Sequence, residues 1–230
     1  MYKSNFAEFL KECTNEFTPV IDKKFVRKDF VHIDLSETNK DVRDMPIPSA
    51  IAVKTFIDGY VASKNAKVAY GGYNEKRTLY QQSVIFKGET TPSSRNIHIG
   101  LDFWCDAGTS VLAALDGTVH SYSNNEGFGN YGPTIILEHI VGDRTFYTLY
   151  GHLSKECIEK LSFGQIVEAG DKIGTLGSHI VNGDYAPHLH FQVIKDIQGF
   201  TGDYPGVASP DKLDFYLDNC PDPNILLKID

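Results

Sequence analysis

The run Pro187-His188-Leu189-His190-Phe191, continued by Gln192, Val193 and Ile194, constrains this chain more than any other stretch. Phe, Val and Ile favour extended backbone, and side chains at i and i+2 of a strand share one face. His188 and His190 therefore project from the same side of a rigid strand, roughly 6.5–7 Å apart along it. That spacing is too wide for a tight ring pair, yet it lets both imidazoles address one ion and a water beside it. The remaining chain has to bring complementary groups up to this strand.

From about Arg95 onward the sequence becomes a series of short strand-like runs separated by glycine turns: Gly117 to Ser123, Thr134 to Ile140, Arg144 to Gly151, Lys172 to Leu176, and His188 to Ile194. Val141-Gly142-Asp143-Arg144 predicts a hairpin turn between two of them. The pieces Ser110 to Val119 and Gly164 to Gly174 share the cadence of a doubled β-hammerhead. Lipoyl carriers have that cadence too, but no lysine sits at a hairpin tip in a lipoyl-like context. With 41% hydrophobic and 12% aromatic residues, 230 residues suffice to bury a large core as one or two domains.

The part before Arg95 differs in character. Phe6, Phe9, Leu10 and Cys13 recur at helical spacing and predict an amphipathic helix within Asn5 to Glu16, docked on the main domain. Phe25 to Asn39 predicts one or two short extended pieces, and Ser49 to Ala62 a second helix approached by Pro46 and Pro48. Gly71 to Arg77 is expected to be a loop. The expected division is a short α/β N-terminal segment over residues 1–92, docked on a mainly β domain with a C-terminal extension over residues 93–230.

A net charge of −8 argues against nucleic acid or an anionic membrane surface as a partner, since both need clustered Lys and Arg. Neither a secretory apolar core of about 7–15 residues nor a membrane span of about 20 is found, so a cytoplasmic location is expected, with export only by a non-standard route. Cys13, Cys105, Cys157 and Cys220 form no C-x-x-C pair, which disfavours a cysteine metal knuckle.

Arg95-Asn96-Ile97-His98-Ile99-Gly100-Leu101-Asp102 supplies a second chemical element. Either an extended run or a helix would place His98 and Asp102 on one face, and Gly100 with the β-branched Ile97 and Ile99 favours the extended conformation. Two imidazole nitrogens plus one carboxylate oxygen suit Zn²⁺ with a fourth position open, the pattern of catalytic rather than structural zinc. His152, in Tyr150-Gly151-His152-Leu153, follows a strand-like run directly.

His98-Ile99-Gly100-Leu101-Asp102, Tyr150-Gly151-His152-Leu153 and Pro187-His188-Leu189-His190-Phe191, in this order, resemble the lysostaphin/LytM-type zinc metallopeptidases that cleave peptide cross-links of bacterial cell walls. The resemblance runs from about Arg95 to about Ile194. It implies an antiparallel β-sheet groove, one Zn²⁺ per chain held by His98, Asp102 and His190, and His152 and His188 as catalytic histidines. It implies hydrolysis of a peptide bond, most naturally in a peptide or peptidoglycan-stem substrate. His120, His139 and His179 are expected to be structural or surface residues. In some relatives an upstream asparagine occupies the open metal position, which makes Asn74 a candidate latch. The loop Ser178 to Pro187 and the stretch Gly199 to Pro223 depart from the family pattern and are placed to reshape a groove. Two other classes compete: a metal-free LytM-like activator module, which typically loses ligands this chain keeps, and a histidine phosphocarrier on a related fold, which needs facing histidines but no His-x-x-x-Asp pair.

Overall fold

The glycine-punctuated runs become strands of a large sheet in the computed structural model, which describes residues 6–43, 49–78 and 94–230. In chain order the N-terminal part supplies α1 (Phe6–Cys13), β1 (Phe30–His32), α2 (Lys40–Arg43), α3 (Ala50–Ser63), β2 (Val68–Gly71) and β3 (Glu75–Lys76). Then come β4 (Ile97–His98), β5 (Leu101–Trp104), β6 (Ser110–Leu112), β7 (Gly117–Asn125), β8 (Gly132–Val141) and β9 (Arg144–Gly151). The chain closes with α4 (Glu156–Glu159), β10 (Ile166–Val167), β11 (Lys172–Thr175), β12 (His188–Ile194), β13 (Val207–Ala208), α5 (Leu213–Asn219) and α6 (Asn224–Leu227).

Eight strands form one sheet in the order β1-β2-β5-β12-β9-β8-β7-β10, antiparallel throughout except for the parallel β1–β2 pair. The architecture is thus mainly β and antiparallel, as expected. Strands β6 and β11, from the two hammerhead-like pieces, pair with each other. A third small sheet, ordered β13-β4-β3, stands beside the large one. The hairpin expected at Val141 to Arg144 joins β8 to β9, with Gly142 at φ 63°, where an L side chain is disfavoured.

Period-two alternation explains the position of β12. Leu189, Phe191 and Val193 point into the largest core cluster with Leu101, Phe103, Ile135 and Tyr150. Each such fully buried side chain contributes about 1.5–3 kcal/mol. The opposite face is covered by the C-terminal extension, where Tyr204, Ala208 and Cys220 pack with Ile99 and Ile194. All seven residues of β12 are consequently buried. A strand covered on both faces holds His188 and His190 in a desolvated place.

The N-terminal helices lie close to where the apolar spacing puts them. α1 packs Phe6 and Phe9 edge-on against Phe146, and α3 is capped by Ser49, whose Oγ accepts from the Ala52 amide at 3.2 Å. Gly71 to Arg77 is not a plain loop: Glu75 and Lys76 pair with His98 and Ile97, and the turn before them brings β2 alongside β5. Alternation is invisible in a two-residue strand, which is why the sequence does not reveal it. The expected boundary at residues 92–93 lies outside the described residues; on its N-terminal side, β1 and β2 extend the main sheet. Pro46 and Pro48, expected to mark the approach to α3, also lie outside them.

Candidate metal centre

One row of residues crosses four strands of the sheet. Gly71 stands opposite Asp102, Asp102 opposite His190, and His190 opposite Gly151. Directly opposed residues of antiparallel strands point the same way, so this register alone sets the Asp102 carboxylate beside the His190 ring. His98 arrives from β4, and the chain turns at Ile99-Gly100 to bring it over Asp102. A Cβ at Gly100 would fall against the His190 ring, 2.6 Å from Nε2, so only glycine permits the approach. His152 follows β9 directly at φ 63°, a left-handed conformation that redirects its ring into the groove.

The structure brings all five predicted residues to one groove: His98, Asp102, His152, His188 and His190 line it together. His98 Nε2 lies 2.8 Å from His190 Nδ1, and Asp102 Oδ1 lies 3.2 Å from each of these nitrogens. His188 Nε2 stands 4.0 Å from the same carboxylate oxygen, and the His152 and His188 rings are 4.2 Å apart.

Carbonyl oxygens fix the tautomers, because a carbonyl can only accept. His98 Nδ1–H donates to Gly72 O at 2.8 Å, His152 Nδ1–H to Asn182 O at 2.9 Å, and His188 Nδ1–H to Ala186 O at 2.7 Å. In each of these rings the Nε2 lone pair is left for the groove. His190 is held the opposite way round. Gln192 Nε2 donates to Pro205 O at 3.1 Å, so its Oε1 faces His190 Nε2 at 3.0 Å and accepts that proton. The His190 lone pair therefore sits on Nδ1, toward His98 and Asp102.

Burial, the largest influence, pushes His98 down to about 4, and pushes His152 and His188 below the usual histidine range. For Asp102 burial works in the opposite sense, but His98 and the Arg77 guanidinium outweigh it and hold the carboxyl well below the usual range. The result is a carboxylate oxygen and two imidazole lone pairs facing one another over 2.8–3.2 Å. Such a set is mutually repulsive unless a cation is shared. Its ligand atoms all lie within 4.8 Å of one another, and its two nitrogens and one oxygen match a borderline divalent ion such as zinc.

The order and spacing of these residues fit a known family model, Peptidase family M23, over residues 96–201. This stretch is similar to peptidase family M23. The chain is 32% identical over 115 residues to an uncharacterized metalloprotease of Haemophilus influenzae, covering 49% of this chain and 22% of that protein. It is 36% identical over 98 residues to the peptidoglycan DD-endopeptidase ShyC of Vibrio cholerae, covering 42% of this chain and 20% of that one. The chain thus spans about a fifth of the length of these curated relatives. Among solved structures, the catalytic domain of lysostaphin from Staphylococcus simulans is 28% identical, with a TM-score of 0.36, covering 57% of this chain and 87% of that one.

Several residues of this groove escape sequence reasoning. Arg77 is buried, with Nη1 2.6 Å from Asp102 Oδ2. Trp104 stacks on His188 with centroids 5.9 Å apart. Tyr131 places its hydroxyl 3.3 Å from His190 Nε2. Gln192 was within reach of the strand rule, since it continues the His188, His190 face by one more step. Asn74, the candidate latch, is exposed on the turn before β3 and does not line the groove; from that segment Gly72 and Arg77 reach the site instead. Both departures from the family pattern contribute walls, Asp184 and Tyr185 from one, Phe200 and Tyr204 from the other. His139 is a structural histidine, bonded to Asp116 O at 2.8 Å and Thr148 Oγ1 at 2.7 Å, while His179 is exposed. All four cysteines are free, and no helix among the described residues is long and apolar enough to cross a membrane.

Proposed function

We propose that this protein is a zinc-dependent endopeptidase, with His98, Asp102 and His190 as the metal ligands and His152 and His188 as the catalytic pair. The observation that carries this reading is the meeting of His98, Asp102 and His190 at one buried point, with His152 and His188 beside it in the same groove. Zinc bound there supplies Lewis acidity, polarising a carbonyl and acidifying a water. His152 and His188 enter the reaction neutral, each with Nε2 ready to take a proton and a carbonyl behind Nδ1 to steady the charge it acquires. One of them would take the proton of the attacking water at Nε2, hydrogen-bond the developing oxyanion as the imidazolium so formed, and give the same proton to the leaving amine as the peptide bond breaks, while the other would orient the water through its Nε2 lone pair. Trp104 and Tyr131 restrict the motion of these rings and exclude bulk water from one side of the groove.

The names of the relatives, a metalloprotease and a peptidoglycan DD-endopeptidase, support peptide cross-links of peptidoglycan as the substrate class. A metal-free activator role is not favoured, since the chain retains a complete ligand set. Metal analysis and hydrolysis of a peptidoglycan-type peptide, measured on the wild type and on His190→Ala and His188→Ala, test the proposal. The wild type should hold about one zinc. His190→Ala should lose it. His188→Ala should keep zinc and lose turnover on the order of 10²–10⁴-fold. Equal zinc loss in both variants would make both histidines ligands and refute the division of roles.

A further inference from the structure

We infer that Arg77, which lies outside the residues matched by the M23 family, is a positioning residue of the metal centre: it commits one oxygen of Asp102 and leaves only the other for the ion. This rests on the proposal that His98, Asp102 and His190 hold a metal. The guanidinium donates to Asp102 Oδ2 at 2.6 Å, while Oδ1 faces His98 and His190 at 3.2 Å each. A carboxylate with one oxygen so occupied ligates through a single atom. It cannot swing round to chelate through both and fill the coordination position that a substrate or water needs.

Besides Asp102, two groups hold the guanidinium, and a backbone bond holds its segment. Its Nε donates to Glu75 Oε2 at 2.5 Å, and Glu75 Oε1 is fixed in turn by the Leu35 amide at 3.0 Å. The Trp104 ring lies 5.6 Å from Cζ, a cation–π distance. The Arg77 amide donates to Asn96 O at 2.9 Å, tying this segment to the approach of His98. Space is reserved as well: a Cβ at Gly72 would strike Arg77 Nη2, and the same glycine supplies the carbonyl that orients His98.

Fold stability alone does not account for this arrangement. Desolvating a guanidinium and two carboxylates costs about as much as their attraction returns, and apolar replacements are often neutral or better. Placed against a ligand, however, the network does something an apolar side chain cannot. Glu75 offsets the arginine charge, so the carboxylate is oriented without a net positive group being added beside a divalent cation. The fork geometry of arginine is the relevant property, because lysine offers a point charge and no planar pair of donors.

The test uses the full chain with Arg77→Gln and Arg77→Lys. Zinc dissociation constants are measured by chelator competition, visible absorption is recorded after cobalt(II) loading, and far-UV circular dichroism of the metal-free proteins reports folding. Arg77→Gln should weaken zinc binding about 10–100-fold, the usual effect of losing an outer-shell partner. Its cobalt bands should weaken, as the freed oxygen raises the coordination number. Arg77→Lys should fall between Gln and wild type in both readouts; it carries the test if Arg77→Gln does not fold. Folded variants with wild-type zinc affinity and cobalt spectrum would overturn the role of Arg77 and leave the ligand assignment standing. A wild type that binds no zinc would overturn the ligand assignment, and this inference with it.

Discussion

Replacing Gln192 by Met tests whether the tautomer of His190 is set by the fold. Gln192 is completely buried, so the unbranched and similarly sized methionine keeps most of its packing while removing both polar ends. Three hydrogen bonds are lost, of which the one from Gln192 Nε2 to Cys220 Sγ at 3.1 Å is the weakest, sulfur being a poor acceptor. His190 Nε2–H loses its acceptor at 3.0 Å and keeps only the Tyr131 hydroxyl at 3.3 Å, and Pro205 O loses its donor at 3.1 Å. Leaving buried polar groups unpaired costs about 1–3 kcal/mol each, and because Tyr131 compensates in part, the low end gives ~2 kcal/mol in all. At about 2–4 °C per kcal/mol for a chain of this size, the metal-free protein should melt ~4–8 °C lower. Zinc affinity should fall about 10–100-fold as well, since the proton can now move to Nδ1 and block the ligand lone pair. Nitrogen-15 NMR of the imidazoles gives the direct assay. In the metal-free wild type at neutral pH, His190 should carry its proton on Nε2 and His98, His152 and His188 on Nδ1. Wild-type zinc affinity in Gln192→Met, or a wild-type His190 protonated on Nδ1, would refute the reasoning.

Gly100→Ala should abolish zinc binding and destabilise the fold by about 1–3 kcal/mol, because its methyl would lie 2.6 Å from His190 Nε2 and 3.0 Å from Phe191 O; titration with zinc and thermal melts check both effects. His98 is held near 4 against an ordinary 6.5, so between these values the unfolded chain takes up a proton that the folded one refuses. Stability of the metal-free protein should therefore fall as pH drops from about 6.5 towards 4, by about 3 kcal/mol from His98 alone, with His152 and His188 acting in the same direction. A denaturant midpoint that is equal at pH 7.5 and pH 5 would contradict this. A fragment beginning at Ser93 loses β2, Arg77 and the Gly72 carbonyl, and should bind zinc at least tenfold more weakly than the full chain; equal affinity would mean that the N-terminal segment contributes nothing to the centre.

The parts of the site that were legible in the sequence are those encoded within one element. His188 and His190 share a strand face by period two, and β12 is found over the residues expected of it. Arg144 to Gly151 is likewise a strand over its full predicted length, because Thr, Phe and Tyr favour extended backbone and no proline interrupts them. The contributions that stayed hidden depend on register between distant strands. Nothing local to Gly71-Gly72 says that its strand will lie against Asp102, and nothing in Glu75-Lys76-Arg77 distinguishes a buried arginine from a solvated one. Asn74 drew attention because asparagine is polar and tolerates turns, and that tolerance is what places it at φ 53° on the exposed bend. The C-terminal wall was equally hidden, since Tyr204 and Pro205 acquire their roles only by folding back over β12.

The orientation of the four rings also bears on how the metal and the fold depend on each other. Each proton-bearing nitrogen is tied outward to a carbonyl or to Gln192, so no ring can relieve the crowding of lone pairs by changing tautomer without breaking a buried hydrogen bond. Burial resists the alternative, protonation, as the low value at His98 shows. The site therefore stores unfavourable electrostatics in the metal-free state, and the packing of β12 and β5 between two cores has to withstand it. A divalent cation removes the repulsion and adds its own binding free energy to the folded state alone. Zinc should accordingly raise the melting temperature as its free concentration rises above its dissociation constant, adding about 2.7 kcal/mol of stability at a hundredfold excess, and a melting temperature unmoved by excess zinc would show that no cation is held there.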